Sequence, residues 1–318
     1  MLIVFWIVLL LAGVGLIVWG AEAFAENLGA AAAHLGVSSF ALALLLAGAE
    51  PEELATALVA AVRGSPGIAF GDIIGANVTI CLVALGVAAV LRPLPFGGAF
   101  RYALLGVPLG AIGTWMAWDG KISRVEGGIL VLLYMAYVAT IWILERQPPA
   151  LGEVAELQEN RERSQRTRIG RELLFVLLGV AAMALGATIL VEAVRRIASA
   201  ESLQTQLGLT IVGFATGFEL VVLAWSASRR GVSEAVVAGV VGSFAYNMTM
   251  TLGAAALVRP LRLNNALTLH TPLTFMLASL GLVILLAARR RELSRWAGVV
   301  LMLAYPFYLV LVLIPAGS

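Results

Sequence analysis

The sequence predicts an all-α protein that crosses a membrane ten times and is built from two inverted five-helix repeats. The first observation is composition: of 318 residues, 61% are hydrophobic and only 13% are charged, with a mean hydropathy of +0.96. Such values are typical of polytopic membrane proteins. The second is length, because several apolar runs reach the roughly 20 residues that a membrane-spanning helix needs. The third is an internal repeat, described below.

The chain starts with the apolar run "MLIVFWIVLLLAGVGLIVWG", which has neither a basic leading region nor a small-residue cleavage site. This run therefore predicts a first membrane helix, not a removable signal peptide. Together with the later apolar runs, it predicts helices over about 2–19, 36–62, 67–91, 99–118, 124–144, 172–194, 204–228, 233–258, 267–288 and 296–314.

The long polar segment 145–171 divides these helices into two groups of five. We interpret 1–144 as the first repeat, 145–171 as a cytoplasmic linker and 172–318 as the second repeat. With both termini outside a cell (inner) membrane, 14 of the 21 basic residues fall on the cytoplasmic side, as the positive-inside rule favours. These are Arg92, Arg101, the six Arg of 146–171, Arg229, Arg230, Arg289, Arg290, Arg291 and Arg295.

The two halves of the chain repeat each other at an offset of 167 residues. At this offset "LGVAAVLRPL" (85–94) aligns with "LGAAALVRPL" (252–261), and Glu52 aligns with Glu219. Because five is an odd number of helices, the second copy must enter the membrane in the opposite direction. Inverted repeats of this kind are typical of secondary transporters.

Five carboxylates lie inside apolar segments, where an unpaired charge costs at least about 2.5–3.5 kcal/mol and usually has a function. They are Glu50, Glu52, Glu53, Asp72 and Glu219. Glu50 and Glu53 share one helix face and Glu52 points elsewhere, so all three reach one site only if the helix is broken. We expect Gly48 and Pro51 to break the helix in the first half, and Gly217 to do so in the second.

The next helix of each half carries amides and hydroxyls, among them Asn77, Ser243 and Asn247. Together with carboxylates they supply the oxygen ligands that hard cations such as Ca²⁺ prefer. Alternatively, each of these polar side chains only bonds across helices as packing, at about 1 kcal/mol each.

The two halves carry related motifs, "AGAEPEEL…VRG…FGDIIGANVTI" and "FATGFELV…RRG…AGVVGSFAYNM". They resemble the cation/Ca²⁺ antiporter superfamily, which includes Na⁺/Ca²⁺ and H⁺/Ca²⁺ exchangers and has motifs similar to "GTSLPEL…KG…GNxIGSNxxN" in two inverted five-helix repeats. The resemblance implies that Glu52 and Glu219 are the paired membrane glutamates. It further implies ion ligands at or near Asn77, Thr216, Ser243 and Asn247.

The sequence also departs from the family pattern. Counted back from the Gly that follows each motif, each Glu lies one place early, so Glu53 competes with Glu52 for the first role. The same count leaves Leu220 in the second half, where only Glu219 is available. Asp72 replaces a common Asn and adds charge, whereas Ala49 and Ile80 stand where the family often has oxygen ligands.

The resemblance implies a secondary antiporter that exchanges Ca²⁺ or a related cation for Na⁺ or H⁺, with inorganic cations and the bilayer as its partners. The alternatives are a cation channel or a non-transporting cation sensor on the same scaffold, and, less favoured, an intramembrane hydrolase. We expect no enzyme activity, because no "HExxH" occurs and no His lies near Ser243 in the sequence. Nothing in the composition indicates a nucleic-acid partner, and no cofactor is expected.

Overall fold

A computed structural model of the chain describes residues 2–34, 48–96, 99–145, 169–230, 233–288 and 291–313. The first half contains the helices α1 (Leu2–His34), α2 (Pro51–Arg63), α3 (Pro66–Leu91), α4 (Ala99–Ala117) and α5 (Arg124–Glu145). The second half begins with α6 (Ile169–Ile197) and ends with α9 (Leu267–Ala288) and α10 (Arg295–Leu313). Between them lie α7, made of Glu201–Leu207, Gly208–Val212 and Gly213–Arg230, and α8, made of Ser233–Tyr246, Asn247–Thr251 and Leu252–Val258.

Eight helices among the described residues are long and apolar enough to cross a membrane. The other two predicted spans are only partly matched by a long apolar helix among the described residues. In 36–62, residues 36–47 lie outside the described part, and α2 begins at Pro51. The span 99–118 corresponds to α4, in which Leu105–Ala117 forms a shorter apolar helix.

The predicted end of the first helix at residue 19 is wrong, because α1 continues to His34. The prediction followed hydropathy, which falls after residue 19. Helix continuity depends instead on backbone propensity, and the segment "AEAFAENLGAAAAH" is rich in Ala and Glu, which favour helix.

Helix boundaries recur between the two halves at the 167-residue offset. Helix α3 consists of Pro66–Thr79, a π-helical turn at Ile80–Ala84, and Leu85–Leu91. Each boundary has its counterpart in α8, whose π-helical turn is Asn247–Thr251. The short strand β1 (Leu94–Pro95) likewise corresponds to β3 (Leu261–Arg262). The sequence repeat is therefore also a repeat of local backbone structure.

Short strands from the two halves pair with each other at the ends of the helices. Strand β1 pairs antiparallel with β4 (Glu292–Leu293), and β2 (Lys121–Ile122) pairs antiparallel with β3. Each pair therefore joins one strand from each half. The interface between the halves continues through the helices, where glycines bring α1 and α6 close together.

Helices α1 and α6 cross in an antiparallel sense. A Cβ on Gly13 would lie 2.8 Å from the carbonyl oxygen of Gly186, and one on Gly20 would lie 2.7 Å from that of Gly179. Small residues at such contacts let two membrane helices pack backbone to backbone. Residues early in α1 thus meet residues late in α6.

Helices α3 and α8 form the centre of the molecule. Every residue from Gly67 to Leu82 in α3 is buried, as is every residue from Val236 to Gly253 in α8. Helix α1, by contrast, exposes large apolar side chains such as Leu2, Phe5 and Leu11. In a membrane protein such a surface faces lipid, so the polar residues of α3 and α8 lie at the protein interior.

Candidate functional site

The N-terminus of α2 places three carboxylates in one buried cluster. Gly48 adopts a left-handed backbone (φ +70°), Glu50 is extended (φ −117°, ψ 92°), and Pro51 begins the helix. Proline fits this first position because it lacks the N–H that a helix start leaves unpaired. Residues 48–50 are therefore non-helical and a helix begins at Pro51, as expected for a break at this point, while the preceding residues 36–47 lie outside the described part of the chain.

The consequence of this break is that Glu50 precedes the helix while Glu52 and Glu53 lie in its first turn. One carboxylate oxygen from each of the three lies within 4.8 Å of the others. All three side chains are buried. Three carboxylates that would point apart on a continuous helix are thus brought together.

The expected break at Gly217 is wrong. Helix α7 is regular from Gly213 to Arg230, and its irregular part is the π-helical turn Gly208–Val212. The second half has Phe218 where the first has Pro51, so the backbone keeps its N–H and the helix continues. Gly217 packs beside α3, where a Cβ would make an ordinary contact of 3.4 Å with the Cα of Ala76.

Two side-chain hydrogen bonds connect the carboxylates to the other half of the chain. Ser243 of α8 donates its hydroxyl to Oε1 of Glu50. Thr216 of α7 places its Oγ1 2.8 Å from Oδ1 of Asp72. All four side chains are buried.

The two asparagines of the candidate set also meet across the halves. Nδ2 of Asn247 donates to Oδ1 of Asn77 over 3.2 Å, and Thr251 donates to Oδ1 of Asn247 over 3.2 Å. Asn77 lies at the end of the regular part of α3, and Asn247 begins the π-helical turn of α8. Because π-helical turns occur frequently at functional sites, this location is consistent with a functional role for these amides.

Glu219 lies on α7, is partly buried, and has its Oε2 sealed from solvent. Its carboxyl group is close enough to those of Glu50 and Glu53 to interact with them electrostatically, and Asp72 is likewise close to Glu53. The nine predicted site residues thus lie on or next to α2, α3, α7 and α8, with two of the carboxylates bonded to Thr216 and Ser243 and the two asparagines bonded to each other.

Thr56 is a buried polar residue of α2 that was not among the site residues predicted from the sequence. Thr56 is 0% exposed, and its hydroxyl has no hydrogen-bond partner among the described residues. A Thr in an Ala-rich helix gives no signal by itself. The available signal was spacing, because Thr56 lies three residues after Glu53 and four after Glu52, on the same helix side.

The acidic side chains of the site have no buried basic side chain beside them among the described residues. In the described part of the chain, no Arg, Lys or His side chain is buried. Five acidic side chains thus meet in the interior with hydroxyls and amides around them, and a carboxylate without a countercharge is costly to bury. Carboxylate, hydroxyl and amide oxygens suit hard cations, so the arrangement is chemically fit to bind them.

Comparison with known proteins agrees with this geometry. The family model described as "Sodium/calcium exchanger protein" matches residues 5–143 and 172–314, which is most of the chain. This chain belongs to the sodium/calcium exchanger protein family. The two matched segments flank the polar stretch 145–171 that we interpret as a linker.

Relatives within the family cover nearly the whole chain. A sodium/calcium exchanger of Methanosarcina acetivorans is 28% identical, with 95% of this chain and 97% of the relative covered. An uncharacterized membrane protein of Methanocaldococcus jannaschii is 24% identical, with 93% and 94% covered. The solved structure of the sodium-calcium exchanger NCX_Mj soaked with Na⁺ and Sr²⁺ has the same fold, with a TM-score of 0.60, 21% identity, and 97% and 98% of the two chains covered.

Proposed function

We propose that this chain is a secondary antiporter that exchanges Ca²⁺, or a related cation, for Na⁺ or H⁺. The observation that carries the proposal is the set of four buried carboxylates with the partly buried Glu219, near which the described residues provide no buried base. A transported cation supplies the missing positive charge. Membership in the sodium/calcium exchanger family supports the same function.

In this proposal Glu52 and Glu219 are the principal cation ligands, one from each half. Glu50, Glu53 and Asp72 add negative charge, and Asn77, Thr216, Ser243 and Asn247 supply neutral oxygen atoms. One cation class occupies the site at a time, since each must neutralise the same carboxylates. Competition for one set of ligands is what couples the two fluxes.

Alternating access requires two units that move relative to each other. We propose that the chain is an inverted pair of five-helix repeats, 1–144 and 172–318, and that each repeat contributes helices to both moving units. The antiparallel crossing of α1 and α6 supports this topology, because equivalent helices of inverted repeats must run in opposite directions. We propose that α1 and α6 slide against a core of α2, α3, α7 and α8, which exposes the site to one side of the membrane and then the other.

The test is uptake of radiolabelled Ca²⁺ into proteoliposomes that contain the purified full chain. An outward Na⁺ gradient and a pH gradient are imposed separately. An exchanger takes up Ca²⁺ only when the counter-ion gradient is present, and the effective gradient identifies the counter-ion. Uptake that needs no opposing ion would indicate a channel, and binding without any uptake would indicate a sensor.

A further inference from the structure

Three side chains of the site have polar atoms that form no hydrogen bond with a described residue. Both carboxylate oxygens of Glu53, Oδ2 of Asp72 and the hydroxyl of Thr56 have no hydrogen-bond partner among the described residues. Each of these side chains is 0% exposed. An unsatisfied buried polar group costs about 1–3 kcal/mol, and a charged one costs more. At a proposed cation site, such atoms are candidate ligands.

These three residues break the symmetry between the halves. At the 167-residue offset their counterparts are Leu220, Leu223 and Gly239, none of which has a side-chain oxygen. Glu52 does have a counterpart in Glu219. The first half thus carries a set of oxygen atoms beyond the symmetric pair.

The three residues also lie next to one another. Thr56 follows Glu53 by three residues in α2, so the two share a helix face. Asp72 lies on the neighbouring helix α3, near enough for its charge to repel that of Glu53. Oδ1 of Asp72 is bonded to Thr216, which leaves Oδ2 as the oxygen without a partner.

We propose that Glu53, Asp72 and Thr56 hold a second divalent cation, bound at the same time as the one held by Glu52 and Glu219. This inference rests on the proposed cation site. Two carboxylates and one divalent ion are neutral together, whereas no described base is buried nearby to balance them. The proximity of Glu53 to Glu50 and Glu52 places the second ion beside the first, with carboxylates between them.

The test is equilibrium binding of radiolabelled Ca²⁺ to the full chain in lipid nanodiscs, in Na⁺-free buffer. The unaltered chain is expected to bind two equivalents of Ca²⁺. The double variant Glu53→Leu, Asp72→Asn is expected to bind one, since Leu is the residue at the equivalent position 220 and Asn has nearly the shape of Asp. The control Glu192→Gln, which removes a carboxylate paired with Arg196 outside the site, is expected to retain two.

A second measurement keeps the test independent of how the double variant folds. Mn²⁺, a paramagnetic divalent ion that also accepts oxygen ligands, is titrated into the unaltered chain and followed by electron paramagnetic resonance. Two neighbouring ions give a spectrum broadened by their magnetic coupling at saturation. A single equivalent of bound Ca²⁺, or an Mn²⁺ spectrum typical of isolated ions at saturation, would contradict the proposal of a second cation.

The outcomes also separate this inference from the proposed function. Counter-ion-driven Ca²⁺ uptake with only one bound Ca²⁺ would overturn the second position and leave the antiporter intact. Two bound Ca²⁺ without any counter-ion-driven uptake would support the second position and contradict the antiporter.

Discussion

Glu52 and Glu219 occupy equivalent positions in the sequence repeat, but their surroundings differ. Glu52 lies in the first turn of α2, is 1% exposed, and has Glu50 and Glu53 beside it. Glu219 lies inside a regular stretch of α7 and is only partly buried. In the proposed site the first half thus supplies most of the negative charge, and Glu219 is the one carboxylate proposed from the second half.

Because Glu219 is the only acidic ligand proposed from its half, Glu219→Gln is expected to lower Ca²⁺ exchange at least about tenfold. A hydrogen bond or ligand contact to a charged group contributes about 1.5–3 kcal/mol, and 1.4 kcal/mol is a factor of ten. Counter-ion-driven uptake in proteoliposomes measures the loss. Glu192→Gln serves as the control and should retain normal flux. Unaltered exchange in Glu219→Gln, with the protein folded, would exclude this carboxylate as a ligand.

The competition between Glu52 and Glu53 is decided by the same assay. Repeat symmetry pairs Glu52 with Glu219, so Glu52→Gln is expected to reduce exchange as strongly as Glu219→Gln. In the proposed arrangement, Glu53→Gln weakens Ca²⁺ binding mainly at the second position. If Glu53→Gln abolishes exchange and Glu52→Gln leaves it nearly normal, the principal ligand is Glu53.

At the scale of single elements, the start of α2 depends on a tight contact between the halves. Gly48 has a left-handed backbone, and a Cβ there would overlap the carbonyl carbon of Gly242 in α8. A left-handed non-glycine residue costs about 1–3 kcal/mol, and the overlap adds to this. Gly48→Ala should therefore lower the thermal unfolding midpoint, by about 2 °C or more for a chain of this size.

The control for this substitution is Gly15→Ala. Gly15 is exposed on α1, and a Cβ there would meet nothing within 4 Å. Ala favours helix over Gly by about 1 kcal/mol, so Gly15→Ala is expected to leave the midpoint unchanged or raise it slightly. Equal midpoints for the two variants would show that the contact between Gly48 and Gly242 is not tight.

The elements also mark where sequence reasoning succeeds and where it fails. Pro51 fixes its own backbone and lacks a donor, so its position alone predicts the break in the first half. Gly217 merely permits a break, and α7 stays helical there because Phe218, at the position equivalent to Pro51, keeps its backbone N–H. The π-helical turns at Ile80–Ala84 and Asn247–Thr251 carry no comparable signal, since one extra residue in a turn leaves hydropathy unchanged.

At the scale of the whole molecule, the contacts between halves are themselves paired. A Cβ on Gly86 would approach Gly298, and one on Gly127 would approach Gly253. Gly86 and Gly253 are 167 residues apart, and Gly127 and Gly298 are 171 apart, as are the starts of β2 and β4. The strand pairs β1–β4 and β2–β3 are related in the same way, as expected if the two proposed repeats are related by an approximate two-fold axis.

This relation leads to a prediction about orientation in the cell. Ten crossings with an outside N-terminus place the segment 145–171 in the cytoplasm and residue 318 outside, in agreement with the charge distribution. Cys81 is the only cysteine and is buried, so Cys81→Ser gives a background without thiols in which single cysteines report accessibility. In intact cells a membrane-impermeant maleimide should label the Ser318→Cys variant, but should label Ser164→Cys only after the membrane is permeabilised. The reverse pattern would invert the proposed topology. Labelling of both sites in intact cells would place the linker and the C-terminus on the same side of the membrane, which the five crossings proposed between them do not allow.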